Sequence, residues 1–406
     1  MKVLVSGASI AGPVLAYWLA RNGHEVTVVE RSPVLRKTGG HAVDLFRPAM
    51  NITEQMGVLP QVEHAATGTD RMTLHRPRVA KPIHIDLSKV YGATSDRHVE
   101  IMRDDLSEIY YKATTDNVEY LFGNSITRID QDGTVAFENS APRAFDIVVG
   151  ADGLHSNVRR LTFGEESAFS KFAGAYLAVL SVPKELAPDG EFVTYLDVDR
   201  MAGIYTANHM EDARALFLFR SKPLDVHHRD VPRQKDLLRQ GFHRLHPNVN
   251  RLLAHAENTP AFHFDSITQL RLESWSQGRV TLVGDAGYCP GPAIGGSTSL
   301  AVIGAYVLAG ELAAAGGDYE RGFAAYEREM ADFVRRSREF ALMAAKTLIP
   351  SSPLGVWALA NGARLISALP QSVSRSLAKL NPSGPRMHDS FQVKNYETDK
   401  STVPPR

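Results

Sequence analysis

The stretch KVLVSGASIAGPVLAYWLARNGHEVTVVE, Lys2 to Glu30, decides the fold. Lys2 to Val5 is a short apolar run rich in β-branched residues, suited to a strand buried on both faces. GASIAG, Gly7 to Gly12, follows as a tight turn, and Val14, Leu15, Trp18 and Leu19 then recur at helical spacing. A second buried strand, Glu25 to Val29, ends in Glu30. The order strand, glycine turn, helix, strand, acidic end predicts a βαβ unit for a dinucleotide. The glycines let the main chain approach a pyrophosphate at a helix N-terminus, where free N–H groups and the helix dipole favour anions. Glu30 is placed to accept hydrogen bonds from an adenosine ribose. Ser9 replaces the middle glycine of G-x-G-x-x-G. The alternative is any α/β domain that begins with a strand.

Two further stretches narrow the reading. DIVVGADGLHSNVRR, Asp146 to Arg160, runs a buried strand into Gly150-Ala151-Asp152-Gly153. RVTLVGDAGYCPGPAIGGSTSLA, Arg279 to Ala301, runs another into Gly284-Asp285, then a Pro/Gly loop and a helix from about Ser297. An Asp at the carboxyl end of a strand in a doubly wound sheet sits in the ligand crevice, within reach of a ribose or ribityl hydroxyl. Taken singly, each is also what a strand end capped by an Asp looks like.

With these three motifs in this order, the chain resembles the single-component FAD-dependent aromatic hydroxylases, the p-hydroxybenzoate hydroxylase-like monooxygenases, over roughly residues 1 to 345. GASIAG with Glu30 resembles the family's ADP-binding fingerprint, and GADGLHSNVR its DG motif, with Asp152 and Arg159 in the matching places. VGDAGYCPGPAIGG resembles the GD motif, which implies Asp285 near the ribityl chain and Pro292 near the isoalloxazine. EIMRDDL, Glu100 to Leu106, is similar to the segment whose arginine, here Arg103, contacts the flavin. GGHAVDL, Gly39 to Leu45, is similar to the matching loop of tetracycline-inactivating and polyketide-tailoring members. The implied FAD-binding set is Gly7, Ser9, Ile10, Ala11, Gly12, Glu30, Arg31, Gly40, Arg103, Asp152, Asp285 and Ser297. Pro292, Gly295 and Gly296 are expected to shape the space where chemistry occurs. Gly287 and Tyr288 depart from the family's G-D-A-A-H, and Gly295-Gly296-Ser297 from its G-Q-G. Both changes leave the Asp, the Pro and the helix start in place.

Composition sets the outer bounds. The 406 residues carry 45 Lys+Arg and 45 Asp+Glu, and this zero formal net charge argues against a nucleic-acid partner, which needs a basic face. A lone cysteine, Cys289, excludes an intramolecular disulfide and a cysteine-based zinc site, and fits a cytoplasmic protein. Met1 to Ala20 is apolar but broken by Gly7 and Gly12, short of the ~18 residues a bilayer span needs. No integral membrane segment is therefore expected. The pairs His227/His228 and His243/His246 read as surface histidines, and no metal is expected.

The expected fold is α/β: a discontinuous Rossmann-like FAD-binding domain, an antiparallel-sheet substrate domain and a C-terminal helix. The FAD domain is expected over 1–70, 98–170 and 276–345, and the substrate domain over 71–97 and 171–275. Strand signals run from His75 to Leu87 and from Phe192 to Arg220; Gln234 to Leu253 reads as one helix, and Tyr319 to Lys346 as a long one. Residues 346–380 read as a C-terminal helical segment over the pocket entrance, preferred to a membrane-surface role, and 381–406 as a frayed polar tail.

The resemblance implies that NADPH or NADH, docking transiently, reduces FAD, and that dioxygen then gives a flavin C4a-hydroperoxide. Oxygen passes to an aromatic or polycyclic small molecule, polyketide- or tetracycline-like, in a monomer or homodimer. Candidate bases are His41, Asp44 and His209, each with an ordinary structural role as the alternative. A flavin-dependent reductase of the same fold and a non-enzymatic flavin-binding protein are the other readings. A halogenase lacks support because Trp18, Trp275 and Trp357 are isolated.

Overall fold

In a computed structural model of the chain, residues 1–35, 39–207, 209–227, 230–259, 261–291, 296–370, 373 and 385–396 are described. Lys2–Ser6 lies at the middle of a six-stranded sheet, parallel to Glu25–Glu30 on one side and to Ile147–Gly150 on the other. Glu119–Phe122 extends the first side, while Val280–Leu282 and the short antiparallel Ser276–Gln277 complete the second. Strands far apart in sequence thus build one sheet. Val3, Leu4, Val5, Val28, Ile147, Val148 and Val149 have at most 0% exposure, as strands covered on both faces require.

Helix Ala11–Arg21 packs on this sheet beside helix Ser297–Ala314, with Trp18 edge-on to Tyr306 at 4.9 Å. Ser297–Ala314 is apolar on every side and is correspondingly buried. Among the described residues it is the helix long and apolar enough to cross a membrane, yet 72% of it is buried inside the protein. The long helix Tyr319–Leu348 packs against it.

A second sheet of seven strands runs Phe262–Leu270, Ser170–Pro183, Asp212–Arg220, Arg200–Tyr205, Glu191–Asp197, Arg71–Arg76, Val79–Asp86. It is the expected antiparallel sheet except at one place, where Glu191–Asp197 lies parallel to Arg71–Arg76. The signal from His75 to Leu87 resolves into a hairpin that turns at Arg78, whose φ is 62°. A two-stranded antiparallel ribbon, Ala42–Phe46 with His98–Met102, lies beside the two larger sheets.

Two expectations are corrected. Gln234 to Leu253 is two helices, Val231–Phe242 and Pro247–Ala254. Arg244 takes a φ of 69°, which no helix accommodates, and His246 caps the second helix ahead of Pro247. The stretch 381–406, read as a frayed tail, is packed over its described part. Pro385–Ser390 forms a short helix with Met387, His388 and Asp389 buried, and Tyr396 packs on Tyr306. The C-terminal helix Pro353–Ala368 buries Val356 and Ala360 against the Val79–Asp86 edge and leaves Leu354 and Trp357 exposed.

Candidate active site

The cofactor question turns on the end of the first strand. Gly7 has a φ of 109°, a conformation only glycine adopts without strain, and a Cβ there would overlap the carbonyl of Ala151. A Cβ on Gly12 would overlap the carbonyl of Gly7. Helix Ala11–Arg21 can therefore start directly behind the turn. Its N-terminus has no side-chain cap and no acidic residue in the first turn, so its free N–H groups remain for an outside acceptor. Glu30 is oriented by the main chain: Ala8 N donates to one carboxylate oxygen at 3.0 Å and Ser32 N to the other at 2.8 Å.

This turn opens onto a cavity of about 860 Å³. Gly7, Ser9, Ile10, Ala11, Glu30, Arg31, Arg103, Asp152, Asp285 and Ser297, all predicted from the sequence, line it together. At its far side the helix Ser297–Ala314 begins, again with no side-chain cap and no acid in its first turn. Two bare helix N-termini thus face one cavity. Burial raises the pKa of Asp285 at the same end, partly offset by the Cys289 thiol and the Arg103 charge. His41 is held neutral, its pKa lowered to about 3 by desolvation, Arg103 and His263.

Three predicted residues do not line the cavity, and each has a supporting position. Gly12 permits the close approach just described. Gly40 donates its N–H to Asp104 at 2.8 Å, accepts from the guanidinium of Arg214 at 2.9 Å, and has no room for a Cβ beside Asp104. Gly296 takes a φ of 89° at the helix start, where a Cβ would overlap the ring of His388. Pro292 and Gly295 lie outside the described residues. Asp152 lines the cavity but is already engaged, accepting from Ser156 Oγ, from Asn157 N at 2.9 Å and from Val158 N at 3.1 Å. It ties the strand end to helix Asn157–Thr162.

Arg159, 1% exposed, donates to the carbonyls of Ala286 and Leu154 and to Glu166, at 2.9, 2.6 and 2.6 Å. It locks the DG and GD segments together from behind. Of the candidate bases, His209 pairs with Asp105 at 2.7 Å and Asp44 with His98 at 2.7 Å.

Sequence reasoning missed a bridge across the cavity wall. His155 contacts Glu166 and Asp265, each at 3.1 Å, and these two hydrogen bonds raise its pKa to about 10. Asp265 and His263 come from the seven-stranded sheet, so both sheets contribute to one cavity. His155 sits inside the quoted DG segment, but nothing in the sequence joins it to Asp265.

The residues fit an extended, doubly anionic nucleotide cofactor. Backbone N–H groups at two helix starts could take the anionic portions and Glu30 a sugar hydroxyl, and the missing Cβ atoms leave the main chain open to close approach.

Comparison with known proteins agrees. A family model described as "FAD binding domain" matches residues 1–341. A flavin-dependent monooxygenase of Legionella longbeachae is 34% identical over 93% of this chain and 97% of its own. An uncharacterized protein of Mycobacterium tuberculosis is 42% identical over 83% of this chain and 91% of its own. The crystal structure of the tetracycline destructase Tet(55) superposes with a TM-score of 0.82 at 32% identity, covering 97% of this chain and 98% of that one.

Proposed function

The chain belongs to the FAD-binding-domain family of flavin-dependent monooxygenases, and from that membership we propose that it hydroxylates a phenolic, polycyclic small molecule, with NAD(P)H as reductant and dioxygen as oxidant. The carrying observation is the cavity onto which two uncapped helix N-termini open, with the seven-stranded sheet closing its other wall. Likeness to a tetracycline destructase over nearly the whole chain supports a polycyclic substrate. The protein would act in the cytoplasm. Residues 1–70, 98–170 and 276–345 would hold FAD, and the inserts 71–97 and 171–275 the substrate.

Bound FAD supplies the redox chemistry, accepting reducing equivalents from NAD(P)H and activating dioxygen. The chain supplies position and electrostatics. The N-terminus of Ala11–Arg21 would hold the pyrophosphate, Glu30 the adenosine ribose and Asp285 the ribityl chain. The N-terminus of Ser297–Ala314 would stabilise negative charge developing at the reduced ring. Arg103, whose guanidinium lies 3.8 Å from the Asp104 carboxylate, adds a cation on the same wall. Neutral His41 adds none.

Purified protein should carry yellow flavin, and phenolic polycycles should accelerate its NAD(P)H consumption with products heavier by one oxygen. A colourless protein that cannot be loaded with FAD would overturn the reading. Asp285→Ala should lose most bound flavin during gel filtration, and unchanged flavin content would remove Asp285 from the site.

A further inference from the structure

A second cavity, of about 530 Å³, lies across the Ala42–Phe46/His98–Met102 ribbon from the first. His41 and Val43 face the cofactor cavity. Asp44 is the cross-strand partner of Glu100, and with His98 these two share the opposite ribbon face, as strand alternation requires. Glu100, His98 and Tyr91 line the second cavity. We propose that this cavity binds a protonated amine carried on a flat apolar body, with Glu100 as its anionic anchor.

The charge balance of the wall carries the inference. Three carboxylates line it, and no Lys or Arg does so among the described residues. Asp96 is paired with Arg47 at 3.4 Å and with Arg386, and Asp70 with Arg71 at 3.5 Å. Among the described residues the Glu100 carboxylate accepts from two hydroxyls, Thr67 Oγ1 at 2.6 Å and Tyr91 OH at 3.2 Å. Both donors favour its ionised form. Its nearest charged neighbours are Asp44, itself an acid, and His98, which favours the ionised carboxylate but is already held by Asp44 at 2.7 Å. The missing partner at this spot is a cation. The Tyr91 ring, stacked on His98 at 4.1 Å, offers an aromatic surface on the same wall, and carboxylate plus aromatic face is the chemistry that selects ammonium groups.

Burial and the Asp44 charge raise the Glu100 pKa to about 7, so the anchor is ionised at pH 8 and lost as pH falls through that value. The other titratable neighbours are His98, Tyr91 and Tyr205; burial keeps both phenols above their ordinary range and so neutral throughout.

The test uses FAD-loaded protein and calorimetry at pH 8 with two isosteric probes, 2-phenylethylammonium and 2-phenylethanol. The ammonium probe should bind at least tenfold more tightly, and Glu100→Gln should erase that preference while retaining flavin. In the wild type, the preference should also shrink at least tenfold between pH 8 and pH 5.5, a reading that needs no variant. Equal binding of both probes, a preference that survives Glu100→Gln, or no binding of the ammonium probe would each overturn the proposal. Adding the ammonium probe to the NAD(P)H assay distinguishes the two sources of the amine. Faster consumption with a hydroxylated amine product identifies the substrate's own amine, and a changed rate without product identifies a separate regulator. Flavin colour is read on the same sample. Yellow protein without amine binding fails this inference alone, whereas colourless protein fails the oxygenase reading.

Discussion

A single methyl group at residue 12 tests the dinucleotide turn. Because a Cβ there would overlap the carbonyl of Gly7, Gly12→Ala must push the helix start away from the turn. The expected result is a folded protein whose FAD affinity falls at least tenfold, measured by flavin fluorescence titration. Arg159→Ala should act on stability instead. It strips the buried partner from Glu166 and two carbonyls, a loss of about 3 kcal/mol in urea unfolding. His155 gives a pH signature. Its pKa is raised in the folded state, so its contribution is complete below about 6.5 and disappears as pH rises through about 10. His155→Gln should flatten the dependence of Tm on pH between 8 and 10; an unchanged slope would show that the bridge contributes nothing. At this scale the sequence was legible where one residue's chemistry sufficed. Glu30 followed from its place at a strand end. Asp152, in an equivalent place, turned out to be occupied by the helix behind it, because its donors Ser156, Asn157 and Val158 lie in the same segment and fold back onto it.

Among elements, the short helix Pro385–Ser390 and the residues after it are the least expected. Asp389 accepts from Ser95 Oγ at 2.6 Å and from Asp96 N at 2.8 Å, Phe391 packs on Phe333, and His388 stacks on Phe46 at 4.3 Å. The segment pins the ribbon, the long helix and the start of Ser297–Ala314 at once. Ending the chain at Gly384 should cost roughly 3 kcal/mol, as expected for uncovering a few large apolar side chains, and equilibrium urea unfolding measures it. An unchanged unfolding midpoint would mean that the segment only rests on the surface. Sequence periodicity cannot reveal such an element. Met387, Phe391, Val393 and Tyr396 keep no single helical or strand period, and Phe391 finds Phe333 and Tyr396 finds Tyr306, both more than 50 residues away. By contrast, Tyr319–Leu348 was readable because its buried residues repeat along one face.

The two larger sheets of the molecule are joined through one cavity, with Arg214 of the seven-stranded sheet bonded to the main chain of Gly40 and His155 reaching Asp265. Saturating FAD should therefore stabilise the entire chain as one unit, by about 4 kcal/mol at a thousandfold excess over its Kd. Scanning calorimetry should show a single transition moving upward with FAD; two transitions of which only one moves would refute the coupling. The parallel sheet was legible because its strands are continuous apolar runs. The parallel neighbour of Arg71–Arg76, by contrast, lies at Glu191–Asp197, a pairing between distant segments that no local pattern encodes. The same interleaving reaches into synthesis. Val280–Leu282 supplies a flank of the sheet that carries the glycine turn, and the helix that closes the cavity begins only at Ser297 of 406 residues. A ribosome must deliver nearly three quarters of the polypeptide before a flavin has anywhere complete to bind, so the tempo of translation sets the earliest moment at which the nascent protein turns yellow.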